Sequence, residues 1–124
     1  MTATDEDDTP PRILVVDDND LIRNLIFLIL HGRYRVDIAT GLTDAQRMTG
    51  TRRYDALVVD VRLGDGTGVD LIDVLRRADP DTAGRCLLVS GWPDDPTPAG
   101  VPVLHKPFAA AELTAAVRAL ADVG

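Results

Sequence analysis

The 124 residues, 45% of them hydrophobic, are one domain's worth of sequence: enough to bury a core, too few for a multidomain enzyme. A net charge of −7 argues against the basic face that direct nucleic-acid binding needs, and no apolar run approaches a membrane span. One cysteine, Cys86, excludes a disulfide within the chain, and with no basic-then-apolar leader the expected location is cytoplasmic.

Residues 1–11, MTATDEDDTPP, hold four acids, no base and two prolines, and are expected to form a disordered acidic tail. The domain is then 12–124, where 13 bases against 16 acids leave a net charge of −3. Twelve of those bases are Arg, so Lys106 is the only lysine.

Short apolar runs follow at 13–16, 34–39, 56–59, 86–89 and 101–104, rich in Val, Ile and Leu as strands buried on both faces are. Amphipathic stretches at 20–31, 42–50, 69–78 and 109–123 read as helices. In 20–31, Leu21, Leu25 and Leu28 form the expected core stripe. Ile26, Phe27 and Leu30 then make a second apolar face, for a partner or a homodimer, unless the helix is buried all round. In 69–78 the stripe is Leu71, Ile72 and Leu75; in the last helix it is Leu113, Val117 and Leu120.

Alternating strands and helices predict a doubly wound, flavodoxin-like α/β fold, with five parallel strands in the order 2-1-3-4-5. The segment 91–100, GWPDDPTPAG, breaks the rhythm: its three prolines leave room for one helical turn, so the fourth helix is expected to be short or missing.

Open parallel sheets build sites at the carboxyl ends of their strands. The four central runs end there in Asp17-Asp18, Asp60, Ser90 and His105-Lys106. Taken singly, each has a plain structural explanation: Asp17-Asp18 as a helix N-cap pair, Asp60 as a turn residue, Ser90 and Lys106-Pro107 as loop starters. Together they make a site. Three carboxylates at one edge must be offset by protonation or by a cation, and Mg²⁺ suits carboxylates that share a phosphate. A carboxylate nucleophile with a metal, a lysine and a hydroxyl suits phosphoryl transfer.

The ordered motifs VVDDN at 15–19, LVVDVRLGDGTG at 57–68, LLVSG at 87–91 and LHKPF at 104–108 resemble the response-regulator receiver domains of two-component signalling, over 12–123. The resemblance implies Asp60 as phosphoacceptor, Asp18 as a direct Mg²⁺ ligand, Asp17 acting through water and Arg62 offering its backbone carbonyl. It implies Ser90 and Lys106 as phosphoryl-binding groups, with Lys106-Pro107 commonly cis. It also implies a sensor histidine kinase or histidine phosphotransfer protein as donor, and a chain that catalyses only its own phosphorylation and dephosphorylation. The sequence departs from the pattern in two places. Val103 stands where the family has an aromatic residue, and the helix that usually carries output is reduced. A non-standard output face is therefore expected, in a stand-alone or isolated receiver.

Trp92 and Arg62 are expected to flank the site on its two sides, with Trp92 alternatively anchoring the Pro-rich loop. Cys86 reads as a buried strand residue, and His31 and His105 are too isolated for a zinc site. Three other functions compete. A haloacid-dehalogenase-type phosphatase would use Asp18-Asn19-Asp20, but its acidic pair should follow the lysine, and Asp94-Asp95 precede Lys106. An EF-hand loop from Asp18 fails, with Arg23 and Ile29 at its Gly and Glu positions. A phosphorylation-independent interaction module leaves Asp17, Asp18, Asp60, Ser90 and Lys106 without a reason to be retained together.

Overall fold

The computed structural model describes residues 9–122. Most of the expected acidic tail, residues 1–8, lies outside the described residues. Its last two positions are part of the fold: the carbonyls of Pro10 and Pro11 accept hydrogen bonds from Arg35 Nε (3.0 Å) and Arg35 N (2.9 Å).

The elements run β1 (Arg12–Val16), α1 (Asp20–Leu30), β2 (Arg35–Ala39), α2 (Leu42–Thr51), β3 (Ala56–Asp60), β4 (Arg62–Leu63), β5 (Gly66–Thr67), α3 (Gly68–Ala78), α4 (Pro80–Ala83), β6 (Cys86–Ser90), β7 (Val103–His105) and α5 (Ala110–Ala121). The main sheet is parallel with the order β2-β1-β3-β6-β7. With the small antiparallel hairpin β4–β5 set aside, this is the expected doubly wound 2-1-3-4-5. That hairpin and the single turn of α4 were not expected from the sequence. No helix forms between β6 and β7, so the fourth helix of the expected pattern is absent, as the three prolines require.

Alternation along the strands builds a core on each side of the sheet. Leu14, Val16, Leu57, Val59 and Leu88 pack with Ala45 of α2 and with Leu71, Ile72 and Leu75 of α3. Ile13, Val15, Val58, Leu87 and Val89 pack with Ile26 and Leu30 of α1 and with Leu113 and Val117 of α5. β3 and β6 are buried at every position, whereas the edge strand β2 leaves Ile38 41% exposed.

The first helix corrects the sequence reading. Leu21 (80% exposed), Leu25 (45%) and Leu28 (64%) face outward, while Ile26 and Leu30 are buried core residues. Phe27 lies at the margin, stacked on His31 with ring centroids 5.2 Å apart. The expected partner face of Ile26, Phe27 and Leu30 therefore does not exist as a surface. The exposed apolar stripe is the one assigned to the core. Arg23 shares the buried side, one terminal nitrogen donating to the Asp17 carbonyl (2.9 Å) and the other to Asp20, with its Nε left unpartnered.

Two close approaches fix the loops beside the sheet edge. A Cβ on Gly68 would lie 2.6 Å from the Asp60 carbonyl oxygen, so α3 can begin under β3 only with glycine there. Asp65, in the β4–β5 turn, accepts from Leu42 N (2.7 Å) and Thr43 N (3.0 Å) and so caps α2 from a distant part of the chain.

Candidate functional site

β1, β3, β6 and β7 deliver their carboxyl ends to one edge of the sheet, and the expected residues meet there. Asp17, Asp18 and Asp60 each offer a carboxylate oxygen, all within 4.8 Å of one another. Asp17 and Asp18 are not the helix cap. Asn19 is, its Oδ1 accepting from Leu21 N (3.0 Å) and Ile22 N (3.2 Å). The two aspartates are thus left for the site.

Asp17 is 1% exposed. Its Oδ1 accepts from Asn19 N at 2.9 Å, but its buried Oδ2 has no hydrogen-bond partner. The nearest cation to that oxygen is Lys106 Nζ, at 3.9 Å. Burial, with the Asp60 charge beside it, pushes the Asp17 carboxyl up from 3.8 to about 6, against the pull of the Asn19 amide and Lys106. An orphaned carboxylate oxygen next to two more carboxylates is a donor set that fits a hard divalent cation.

Asp60 ends β3 and is 6% exposed. Its Oδ2 receives Lys106 Nζ at 2.9 Å and its Oδ1 receives Arg62 N at 3.2 Å. Lys106 follows β7 directly, its amide bound to the Ser90 carbonyl at 2.8 Å, and the Lys106-Pro107 peptide is cis. Ser90 ends β6, 1% exposed, one residue beyond Val89, which pairs with Asp60.

Sequence reasoning missed Asp95. Its side chain is 1% exposed. Oδ2 takes the Ser90 hydroxyl at 2.8 Å and Trp92 N at 3.2 Å, and Oδ1 takes Arg62 Nε at 2.8 Å. Burial alone would raise the Asp95 carboxyl, but the Ser90 and Arg62 hydrogen bonds outweigh it and hold the group below the usual carboxylate range. Nothing local in DDPTP marked Asp95 over Asp94. The signal was spatial, a loop without a helix folding back on the end of β6.

Trp92 and Arg62 do not stand on opposite sides of the site. The Arg62 guanidinium carbon lies 5.6 Å from the centroid of the Trp92 ring, so the two form one contact on the Asp95 side. Trp92 itself is 58% exposed. Its backbone, bound to Ser90 Oγ through the carbonyl at 2.9 Å, is tied more firmly than its ring.

The family model described as the response regulator receiver domain matches residues 13–118. The transcriptional regulatory protein PrrA of Mycobacterium tuberculosis is 35% identical over 118 residues, covering 90% of this chain and 50% of the relative. The photosynthetic apparatus regulatory protein RegA of Rhodovulum sulfidophilum is 31% identical over 114 residues, covering 86% of this chain and 61% of the relative. The chain thus spans about half the length of the mycobacterial relatives it matches. Among solved structures, a response regulator from Chloroflexus aurantiacus superposes with a TM-score of 0.83 at 28% identity, covering 93% of this chain and 100% of that one. A sensor protein from Polaromonas superposes with a TM-score of 0.78 at 30% identity, covering 90% and 96%. No helix among the described residues is long and apolar enough to cross a membrane.

Proposed function

The chain belongs to the response-regulator receiver family of two-component signalling, and from that premise we propose that it takes a phosphoryl group from phosphohistidine onto Asp60 in a Mg²⁺-dependent reaction. The observation that carries the reading is the Lys106 ammonium, 2.9 Å from Asp60 Oδ2, beside a carboxylate cluster with one orphaned oxygen. The donor is a sensor histidine kinase or a histidine phosphotransfer protein in the cytoplasm.

Asp18 and Asp60 would hold the cation directly, Asp17 through water, and Arg62 through its backbone carbonyl. Bound there, Mg²⁺ supplies the positive charge that offsets the carboxylates and the phosphoryl oxygens. Asp60 Oδ2 attacks phosphorus in line. The O–P bond forms as the P–N bond to imidazole breaks, and the electron pair leaves with the imidazole nitrogen. The Arg62 amide holds Asp60 Oδ1 and so fixes which oxygen attacks. The Lys106 ammonium passes from Oδ2 to a phosphoryl oxygen, and the Ser90 hydroxyl binds another. The chain turns over no other substrate.

The donor docks on the exposed stripe of α1. Leu21, its first member, lies three residues past Asp18, so a partner seated on the stripe reaches the carboxylates. Output passes by protein–protein contact through a surface other than the missing helix. Intact mass after incubation with Mg²⁺ and acetyl phosphate tests the reading, beside an Asp60→Asn control. One added phosphoryl group in the parent alone is expected. No gain of mass, with no Mg²⁺ bound either, would turn the reading to a phosphorylation-independent module.

A further inference from the structure

Asp95 occupies two donors next to the acceptor. The Ser90 hydroxyl has one proton to give and two acceptors beside it, Asp95 Oδ2 at 2.8 Å and the Trp92 carbonyl at 2.9 Å, of which the carboxylate carries the charge. The same carboxylate takes Arg62 Nε at 2.8 Å, on the residue whose backbone amide holds Asp60 Oδ1 at 3.2 Å. A carboxylate buried to this extent, bound by a hydroxyl, a guanidinium and a backbone amide, is an internal anion in a built anion site. A phosphoryl group on Asp60 would be a second anion asking for the same hydroxyl.

We propose that Asp95 is an intramolecular latch, a carboxylate that holds Ser90 and Arg62 in the unphosphorylated protein and is displaced when a phosphoryl group on Asp60 claims Ser90. The inference rests on the reading of Asp60 as phosphoacceptor and Ser90 as phosphoryl-binding group.

Release of the carboxylate frees three bonds at once. Ser90 turns to the phosphoryl oxygen. Arg62 loses its ion pair, and Trp92 loses the bond to its amide. The segment between β6 and β7 has no helix to brace it, and Asp95 is the residue that ties its first turn to β4. Unlatching therefore alters the surface around Trp92, where this chain lacks the helix that carries output in the resemblance. Trp92 is the only tryptophan and lies 58% exposed against the Arg62 guanidinium, so its emission reports the latch directly.

The test uses the parent, Asp95→Ala and Asp95→Asn, each followed by intact mass and Trp92 fluorescence with Mg²⁺ and acetyl phosphate. The Asn variant keeps an acceptor for Ser90 but loses the charge that holds Arg62, so it covers the case in which the Ala variant fails to fold. In the unphosphorylated Ala variant, Trp92 emission is expected to match that of the phosphorylated parent. Its phosphoryl uptake should be about tenfold faster, the factor corresponding to one charge-assisted hydrogen bond no longer broken. The Asn variant should fall between the two. Uptake by both variants but not by the parent would support a latch closed tightly enough to block the reaction. If all three proteins take phosphoryl at one rate, with the same change in Trp92 emission, the latch is wrong and the acceptor reading stands. Slower uptake in the variants also overturns the latch. No uptake by any of the three, from acetyl phosphate or from a phosphohistidine donor, overturns both.

Discussion

Replacing Asp17 with Asn isolates the electrostatic cost of the site, because the side chain keeps its shape. Asp17 is 1% exposed, its Oδ2 has no hydrogen-bond partner, and burial beside Asp60 lifts its carboxyl from 3.8 to about 6. A group whose folded pKa lies above its unfolded value binds protons better when folded. Its contribution to stability is complete below the unfolded value and is lost as pH rises through the folded one. The displacement from 3.8 to about 6 corresponds to about 3 kcal/mol of stability forgone at neutral pH in the metal-free parent. Asn keeps an oxygen for the Asn19 amide, now 2.9 Å away, and turns an N–H toward Asp60 in place of a bare charge. In EDTA at about pH 7.5, Asp17→Asn should be more stable by about 2–3 kcal/mol, a rise of about 10 °C in Tm for a domain of this size. The advantage should shrink as pH falls through about 6 and be nearly gone near pH 4. Urea titrations at several pH values measure it, and added Mg²⁺ should stabilise the parent more than the variant. A variant less stable than the parent in EDTA, or one with the same advantage at both ends of the pH range, would refute the argument.

Three further outcomes follow from particular contacts. Gly68→Ala places a Cβ 2.6 Å from the Asp60 carbonyl and 2.9 Å from Leu88 Cδ2; it should cost about 2–3 kcal/mol in a urea melt and slow phosphoryl uptake by displacing the acceptor strand. Leu25→Glu with Leu28→Glu, on the exposed stripe of α1, should leave stability within about 0.5 kcal/mol and acetyl phosphate uptake intact, while transfer from a phosphohistidine donor falls more than about tenfold. Asn19→Ala removes the oxygen that accepts from Leu21 N and Ile22 N and should cost about 1 kcal/mol, read as a lowered urea midpoint with unchanged slope.

The sheet was legible because strands buried on both faces are nearly pure runs of Val, Ile and Leu, and the site was legible because its residues close those runs. α1 was misread for the converse reason. DLIRNLIFLIL is apolar almost all round, so more than one stripe satisfies the helical period. Arg23 turns inward with Ile26 and Leu30, its two terminal nitrogens donating to the Asp17 carbonyl and to Asp20 while its Nε stays unpartnered. A buried arginine that reaches a main-chain carbonyl and an exposed aspartate nearby in sequence inverts the pattern that polarity alone suggests. Asp95 escaped for a different reason. Its guanidinium partner, Arg62, is 33 residues away, and no periodicity applies in a loop broken by prolines.

The parts of the site differ in how freely they can move, and this decides where a signal can leave. β1 is buried except at its first residue, and β3 is buried throughout, with Asp60 in the sheet between β1 and β6. Lys106 instead follows the edge strand β7, joined to Ser90 at the end of buried β6 by the bond from the Lys106 amide to the Ser90 carbonyl. Beyond them β7 has only three residues, none fully buried, and no helix leads into it from β6. On the proposed reading, a phosphoryl group that draws in both Lys106 and Ser90 would pull on β7, the edge strand that Lys106 follows. Val103 on that edge offers no ring whose rotamer could record the pull. On the proposed latch, the displacement would fall on the bonds that Ser90 makes outside the sheet, those to Asp95 and to the Trp92 carbonyl, and the Pro-rich loop would take up the change.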